Sequence, residues 1–456
     1  MSTPLKFVPP LDPGFQPAVI AHRDYLAAAQ STGRAVPLVI GLEREDGLVS
    51  RYETVVLPAA DAATLQHVER TVKFLLWARG GWKVFIGGPK VIGDFIRKTY
   101  SPGGARKFDC ALMGTVYGKK FQVVVTTPAA VPAGGEMEVA AGGHCQGCRI
   151  GFDLGASDYK VSAVVDGEAV FTEETPWDPK SQSNPEYHYH HISAALHRAA
   201  AHLPRVDAIG GSSAGVIVAN EIRVASLFRA IPKKDFPRAA GIFKRLQKEW
   251  NVPVVVMNDG DVTALAGALS LRKKGMLGLA MGSSEAAGFM DQQGRILGWL
   301  NELAFAPVDY NPAAAADEWS GDRGVGALYF SQQAVNRLLP AARISLPTKL
   351  DQPERLKAVQ ALMAKGDARA AKIYQTIGIY LGYTLAHYAT FYDFRHALIL
   401  GRVTTGLGGD LVLARAREVL TQEFPAVAKK IALHVPDEKS RRIGQAVAAA
   451  SLPEIN

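Results

Sequence analysis

The hydrophobic pattern of this chain switches repeatedly between the strict alternation of strands and the three-to-four-residue spacing of helices. Near the N-terminus, PLVIGLEREDGLVSRYETVVL (37–57) reads as a β-hairpin and TLQHVERTVKFLLWA (64–78) as an amphipathic helix. WKVFIGGPKVIGDFIRK (82–98) then reads as a strand, a glycine turn and a helix. Together they predict a small α/β domain over residues 1–140, closed by the Pro, Ala and Gly-rich stretch TTPAAVPAGGEMEVAAGG at 126–143. After that stretch, short strands alternate with helices to the end. GFDLGASDYKVSAVVDGEAVF (151–171) is expected to form two strands joined through Asp166-Gly167, a dipeptide that favours a tight hairpin turn. Ile192, Leu196, Ala199 and Leu203 make one helical stripe, followed by the strand VDAIGG. GMLGLAMGSSEAAGFMDQQGRILGW (275–299) repeats this grammar as strand, small-residue turn, strand, polar turn, strand. A helix through Ile373, Ile377, Leu381, Thr384 and Tyr388 leads into the strand ALILGRV, then TTGLGG and another helix. Two such halves in succession predict a duplicated fold with a cleft between lobes, spanning 149–285 and 286–456, with the C-terminal helix returning to the first lobe.

Composition narrows the class. The chain has 456 residues, 48% hydrophobic and 21% charged, and no apolar run approaches a bilayer-spanning length. MSTPLKFVPPLDPGF lacks a basic start followed by an apolar core, so a cytoplasmic protein without membrane association is expected. The three cysteines, Cys110, Cys145 and Cys148, are too few for a disulfide framework in so long a chain. HCQGC offers His144, Cys145 and Cys148 at metal-like spacing, but no second CxxC or HxxxH accompanies it, so these remain weak candidates. The net charge of +8 is scattered in short clusters, which suits anionic small molecules better than nucleic acid.

Chemistry enters where strands end. VVVMNDGDVTALAGAL (254–269) carries an apolar strand into Asn258, Asp259, Gly260 and Asp261 and then into a small-residue helix. One reading is capping, since Asp is a favoured N-cap; the other is a functional carboxylate. DLGASDYK (153–160) places a carboxylate at a strand end before small residues and a hydroxyl, a turn that can orient hydrated magnesium and offer amides to phosphate. AMGSSEA (280–286) and GRVTTGLGGD (401–410) are two further turns of this kind, in which glycines admit close backbone approach.

In this order the motifs resemble those of the ROK sugar kinases, within the actin-like and hexokinase-like ATPases. DLGASDYK resembles the first phosphate motif DxGGTK, and VPVVVMNDGDVTALAGAL resembles VPVxxxNDANAAALGE. MGSSEAAGFMDQQGRI is similar to the second phosphate motif, WLNELAF to GELGH, GDRGVGALYFS to GNRGCLEAYAS, and LILGRVTTGLGG to the adenosine motif. The resemblance covers about residues 150 to 456. It implies an α/β, duplicated ribonuclease-H-like two-lobed ATPase fold, here with an additional N-terminal α/β domain. It further implies ATP with Mg2+ as cofactors, a sugar substrate and a homodimer. The family's zinc positions hold Phe305, Ser320 and Val325, and a sugar-contacting glutamate is replaced by Ala327. No zinc site of that kind is expected, and the sugar is expected to differ from plain glucose.

By the same resemblance Asp259 is the general base and Asp261 caps the following helix. Asn258, Glu302 and Ser226 contact sugar. Asp153, Gly155, Ser157 and Lys160 serve the phosphate tail and magnesium, Gly282 and Ser283 the β- and γ-phosphates, and Gly401, Gly406, Gly408 and Gly409 the nucleoside. The rivals are a sugar- or nucleotide-responsive regulator with weak or no catalysis, an ATPase that couples hydrolysis to a partner, and a kinase that uses polyphosphate.

Overall fold

The computed structural model describes residues 3–136, 139–140, 142–436 and 444–455. Positions 137, 138 and 141 of the boundary stretch lie outside these. The N-terminal part runs α1 (Ala18–Ser31), β1 (Val36–Glu43), β2 (Val49–Val56), α2 (Ala62–Arg79), β3 (Lys83–Gly87), α3 (Lys90–Thr99), α4 (Lys107–Tyr117) and β4 (Gln122–Thr126). Its four strands form one sheet in the order β2-β1-β3-β4, antiparallel except for the parallel β3–β4 pair. The hairpin, the long helix and the strand–turn–helix expected from the periodicity are all present. α2 is capped by Asp61, whose side chain accepts from the Thr64 amide.

The middle of the chain carries β5 (Val139–Ala140), β6 (Cys148–Leu154), β7 (Asp158–Val165), β8 (Glu168–Pro176), α5 (Pro185–Ala200), β9 (Ala208–Ser213), β10 (Val216–Val218), β11 (Glu221–Val224), α6 (Phe236–Ala240), α7 (Ile242–Trp250), β12 (Val254–Asn258) and α8 (Asp259–Leu271). A five-stranded sheet runs β12-β9-β6-β7-β8, parallel across β12, β9 and β6 and antiparallel beyond. Residues 151–171 thus hold parts of three strands rather than two, because the Gly155–Ser157 turn folds β6 back onto β7 before the expected turn at Asp166 and Gly167. There φ is 48° at Asp166 and 87° at Gly167, the left-handed pair that a type I′ hairpin demands.

The last part contributes β13 (Met276–Met281), β14 (Glu285–Met290), β15 (Arg295–Ile296), α9 (Gln332–Leu338), α10 (Gln352–Ala364), α11 (Ala368–Tyr388), β16 (His396–Leu400), α12 (Gly406–Glu423), α13 (Pro425–Ala428), β17 (Ala432–His434) and α14 (Gln445–Ala450). A sheet in the order β14-β13-β16-β17 is built from these strands. The third strand expected after the polar turn, β15, instead pairs with β5.

The chain divides into two compact units. One comprises Met1–Glu138, Leu279–Ala287 and Leu297–Val435, and the other Val139–Gly278, Gly288–Ile296 and Pro436–Asn456. The first 138 residues therefore share a unit with most of the C-terminal half. Within that first unit, α2 buries an ionic network: Lys73 Nζ lies 2.7 Å from Asp109 and 3.2 Å from Asp322, while Arg106 reaches Asp322 at 2.7 Å. In the second unit, Ile150, Phe152 and Val161 of the sheet pack with Ile192 and Leu196 of α5 and Phe243 of α7. α14 lies against β6 and β9, where side chains on Gly151 and Gly210 would collide with the carbonyls of Ala446 and Ala449.

Candidate functional site

Parallel strands ending together present their last side chains along one edge of a sheet, the usual ligand-binding edge of α/β folds. In the second unit, β6 and β9 pair Asp153 with Ser212, and β12 and β9 pair Asn258 with Ser213. Asp153 accepts a 2.6 Å hydrogen bond from the Ser212 hydroxyl. Burial pushes its carboxyl up to about 6, helped by the nearby charge of Asp259 and opposed by Ser212 and Lys160. Lys160 sits directly across the hairpin from Asp153, with its Nζ 3.5 Å from Glu174. Gly155 closes the turn, its amide bonding the Asp158 carbonyl at 2.9 Å, and the Ser157 hydroxyl donates to Asp158 at 2.8 Å.

Asp259 is the first residue of α8, and burial raises its carboxyl above the usual range. The helix cap is Asn258, not Asp261: Asn258 Oδ1 accepts from the Gly260 amide at 2.7 Å, and Asn258 Nδ2 donates to the Gly215 carbonyl at 2.8 Å. Asp261 falls at the third helical position and is buried. Asp259 is thus not the cap residue, its Oδ1 only sharing the Gly260 amide at 3.0 Å, whereas most of the Asn258 amide serves the backbone. Asn258→Ala is expected to cost about 1–2 kcal/mol in unfolding free energy, read by denaturant titration, because a cap is lost and a carbonyl is left without its donor. An unchanged midpoint would remove the capping assignment. Ser226 is exposed at the start of the short turn Ser226–Phe228, outside that row of strand ends.

In the first unit, the turn between β13 and β14 leaves Ser283 and Ser284 exposed, and a side chain at Gly282 would meet only the Ser284 carbonyl at 3.5 Å. Gly401, at φ 102°, lies against the Met281 backbone, so the exits of β16 and β13 are in contact and two of the glycine turns adjoin. No side chain caps α12; the Thr405 hydroxyl donates instead to the Arg402 carbonyl at 2.9 Å. The first amides of this 18-residue helix thus lack a side-chain partner, the usual basis for anion binding at a helix start. Gly406 is open. Gly408 and Gly409 have a packing reason: side chains there would strike the Tyr374 ring and the Thr404 carbonyl.

Glu302 is half-buried in a turn stitched to α2 by two backbone bonds, Asn301 to Ala78 at 2.9 Å and Glu302 to Trp77 at 3.0 Å. Asp322, in the GDRG segment, is held by the Lys73 and Arg106 network. The N-terminal part therefore anchors both loops. A cavity of ≈ 830 Å3 in the same unit, lined by residues including Lys107, Phe108, Lys120 and Trp319, contains none of the candidate residues. Cys145 is exposed and Cys148 buried in β6, and among the described residues no group of three His, Cys, Asp or Glu side chains could hold a metal ion. Among the described residues, no helix is long and apolar enough to cross a membrane.

Two residues escaped the sequence reading. Ser212 was legible as one of two serines ending the apolar strand AIGGSS, and Glu285 as the lone carboxylate following MGSS.

No family model matches this chain, and no curated protein does. Solved structures do. The ROK hexokinase from Thermus thermophilus aligns at TM-score 0.53 and 20% identity, over 67% of this chain and 98% of its own. A ROK family glucokinase from Streptomyces griseus in complex with glucose and AMPPNP aligns at 0.50 and 19%, over 67% and 99%. A ROK family transcriptional regulator, a homologue of the E. coli MLC protein, aligns at 0.54 and 16%, over 85% and 96%. At these identities the likeness is one of architecture: the chain has the mixed α/β, two-domain ATPase fold found in ROK hexokinases, glucokinases and a ROK regulator.

Proposed function

We propose that this protein is an ATP-dependent kinase for a hydroxyl of a sugar or sugar derivative. The observation that carries the reading is the pair of carboxylates at nearby strand ends, Asp153 at the end of β6 and Asp259 just past β12, with the charge of Asp259 helping to raise the Asp153 carboxyl and the helix cap supplied by Asn258. Phosphoryl transfer needs a positioned base, charge neutralisation and in-line geometry. Asp259 takes the proton of the acceptor hydroxyl as its oxygen attacks the terminal phosphorus and ADP departs. A carboxyl raised by burial suits that role, because a stronger base transfers the proton more readily at neutral pH.

Asp153 fits a magnesium site. It is a carboxylate burdened by burial and a neighbouring negative charge, which a divalent cation bound through water relieves. The cation would neutralise phosphate charge. Gly282, Ser283 and the uncapped start of α12 serve the phosphates, and Gly401 lets the chain pass close to the nucleotide. Glu302 selects acceptor hydroxyls.

The test is ADP release with ATP and magnesium across hexoses, amino sugars, N-acetyl sugars and polyols, with polyphosphate as an alternative donor. Acceptor-stimulated release supports the proposal, and a preference for glucose over every other sugar would remove the expectation of a different substrate. A second reading, a sugar- or nucleotide-responsive regulator, is favoured by one observation: the regulator's alignment extends over 85% of this chain against 67% for the kinases. ATP binding without acceptor-stimulated turnover would bring that reading forward.

A further inference from the structure

Glu285 opens β14 and is buried, with 4% of its surface exposed. Its Oε1 accepts from the Tyr388 hydroxyl of α11 at 3.3 Å, but its Oε2 has no hydrogen-bond partner among the described residues. Oε2 presses on Gly326, where any side chain would collide with it, and the Leu303 carbonyl borders the same slot. Gly326 begins the short turn Gly326–Leu328, and Leu303 the turn Leu303–Phe305 that follows Glu302. The Leu303 carbonyl accepts but does not donate, and among the described residues no donor reaches Oε2. An ionised carboxylate is poorly served there, whereas a carboxylic acid has its own hydrogen to give.

We propose that Glu285 is a positioning residue that keeps its proton, and that as a neutral acid it braces the Leu303 and Gly326 turns so that Glu302 is held toward the acceptor. The last clause rests on the kinase reading; the bracing does not. The titratable groups that reach Glu285 are Tyr388 from α11 and Glu302 from the 301–305 turn, and the Gly326–Leu328 turn contributes none. Burial, seconded by the negative charge of Glu302 and opposed by Tyr388, pushes the Glu285 carboxyl up to about 8. The native state therefore holds a proton that the unfolded chain releases above about 4.5. Its contribution to stability is complete below the unfolded value, declines as pH rises, and is lost once pH passes through about 8.

The test compares the parent with Glu285→Gln, which keeps a donor and cannot ionise, and Glu285→Ala, which keeps neither. Denaturant unfolding from pH 5 to 9 without ligands is expected to show the parent's folding constant falling about tenfold per pH unit relative to Glu285→Gln, levelling off above about 8. Parallel curves would mean that Glu285 is ionised, and would overturn the proposal. Amide hydrogen exchange at pH 7 is expected to be parent-like over 303–305 and 326–328 in Glu285→Gln and faster in Glu285→Ala. Equal protection in all three proteins overturns the bracing role. With an accepted sugar, KM of the parent rises above about pH 8 while that of Glu285→Gln stays level, and kcat changes little in either. A parent KM that ignores pH overturns the link to Glu302. If no acceptor is turned over at all, the first two measurements still decide on Glu285, and the kinase reading fails separately.

Discussion

Asp259→Asn is expected to lower acceptor-stimulated ADP formation by about 100- to 10,000-fold while leaving the protein folded. The size follows from removing a positioned base whose local geometry is otherwise kept. Asparagine has nearly the same shape, and its Oδ1 can accept from the Gly260 amide as Asp259 Oδ1 does at 3.0 Å. The helix start does not depend on the charge, because Asn258 supplies the cap. Removing the charge also relieves Asp153, whose carboxyl is held up in part by Asp259, so its titration moves back toward the ordinary range. The opposite pattern, lost stability with acceptor-stimulated kcat within twofold of the parent, would return Asp259 to a purely structural role. Running Asn258→Ala in parallel separates the two, since that variant is expected to lose stability first.

The strand ends were legible because they obey local rules. An apolar run that stops on NDGD has to put those side chains at a sheet edge, and Asp166-Gly167 has to turn. What the sequence pattern did not carry was which neighbour takes which job. Asn258 rather than Asp261 caps α8 because the cap residue must hold extended backbone just before the first helical residue, and β12 holds Asn258 in that conformation until α8 begins at Asp259. Gly408 and Gly409 read as nucleotide-binding glycines, yet packing against the distant Tyr374 ring and the nearby Thr404 carbonyl already requires them to be small. The acid at 285 stands out in the sequence but its burial does not, because a single acid in a small-residue turn looks exposed, and only the tertiary fold places it under Gly326 and beside Tyr388.

The N-terminal residues show the same limit. Their hairpin, helices and strands follow from periodicity, but their task does not. α2 fixes the Glu302 turn through Ala78 and Trp77 and the GDRG segment through Lys73. The N-terminal residues thus help hold the turn that carries Glu302, a structural task whatever the activity.

The second large effect is acid lability centred on three buried histidines of the first unit, His22 on α1, His67 on α2 and His387 on α11. The His22 and His67 rings lie 4.7 Å apart, Tyr25 stacks on His67 at 4.0 Å, and Phe74 meets His387 edge-on at 4.8 Å. His22 Nδ1, His67 Nε2 and both ring nitrogens of His387 lack hydrogen-bond partners among the described residues. Burial lowers His22 to about 4 and His67 to about 3, and holds His387 well below the ordinary value. Above the unfolded value of about 6.5, native and unfolded chains are both neutral here and stability is complete. As pH falls below it the unfolded chain takes up protons that the native state refuses, so each group lowers stability by about 1.4 kcal/mol per pH unit until its native value is reached. Between pH 6 and 4 the three acting together make unfolding several kcal/mol easier. His387→Phe is expected to raise stability at pH 7 by roughly 1–3 kcal/mol, since two unsatisfied nitrogens give way to a ring of similar shape. It should also flatten the pH dependence by about one proton, and adding His67→Phe should remove a second. Denaturant unfolding at pH 7, 6, 5 and 4.5 measures both effects; parent and His387→Phe curves that stay parallel throughout would show that His387 is not held neutral by burial.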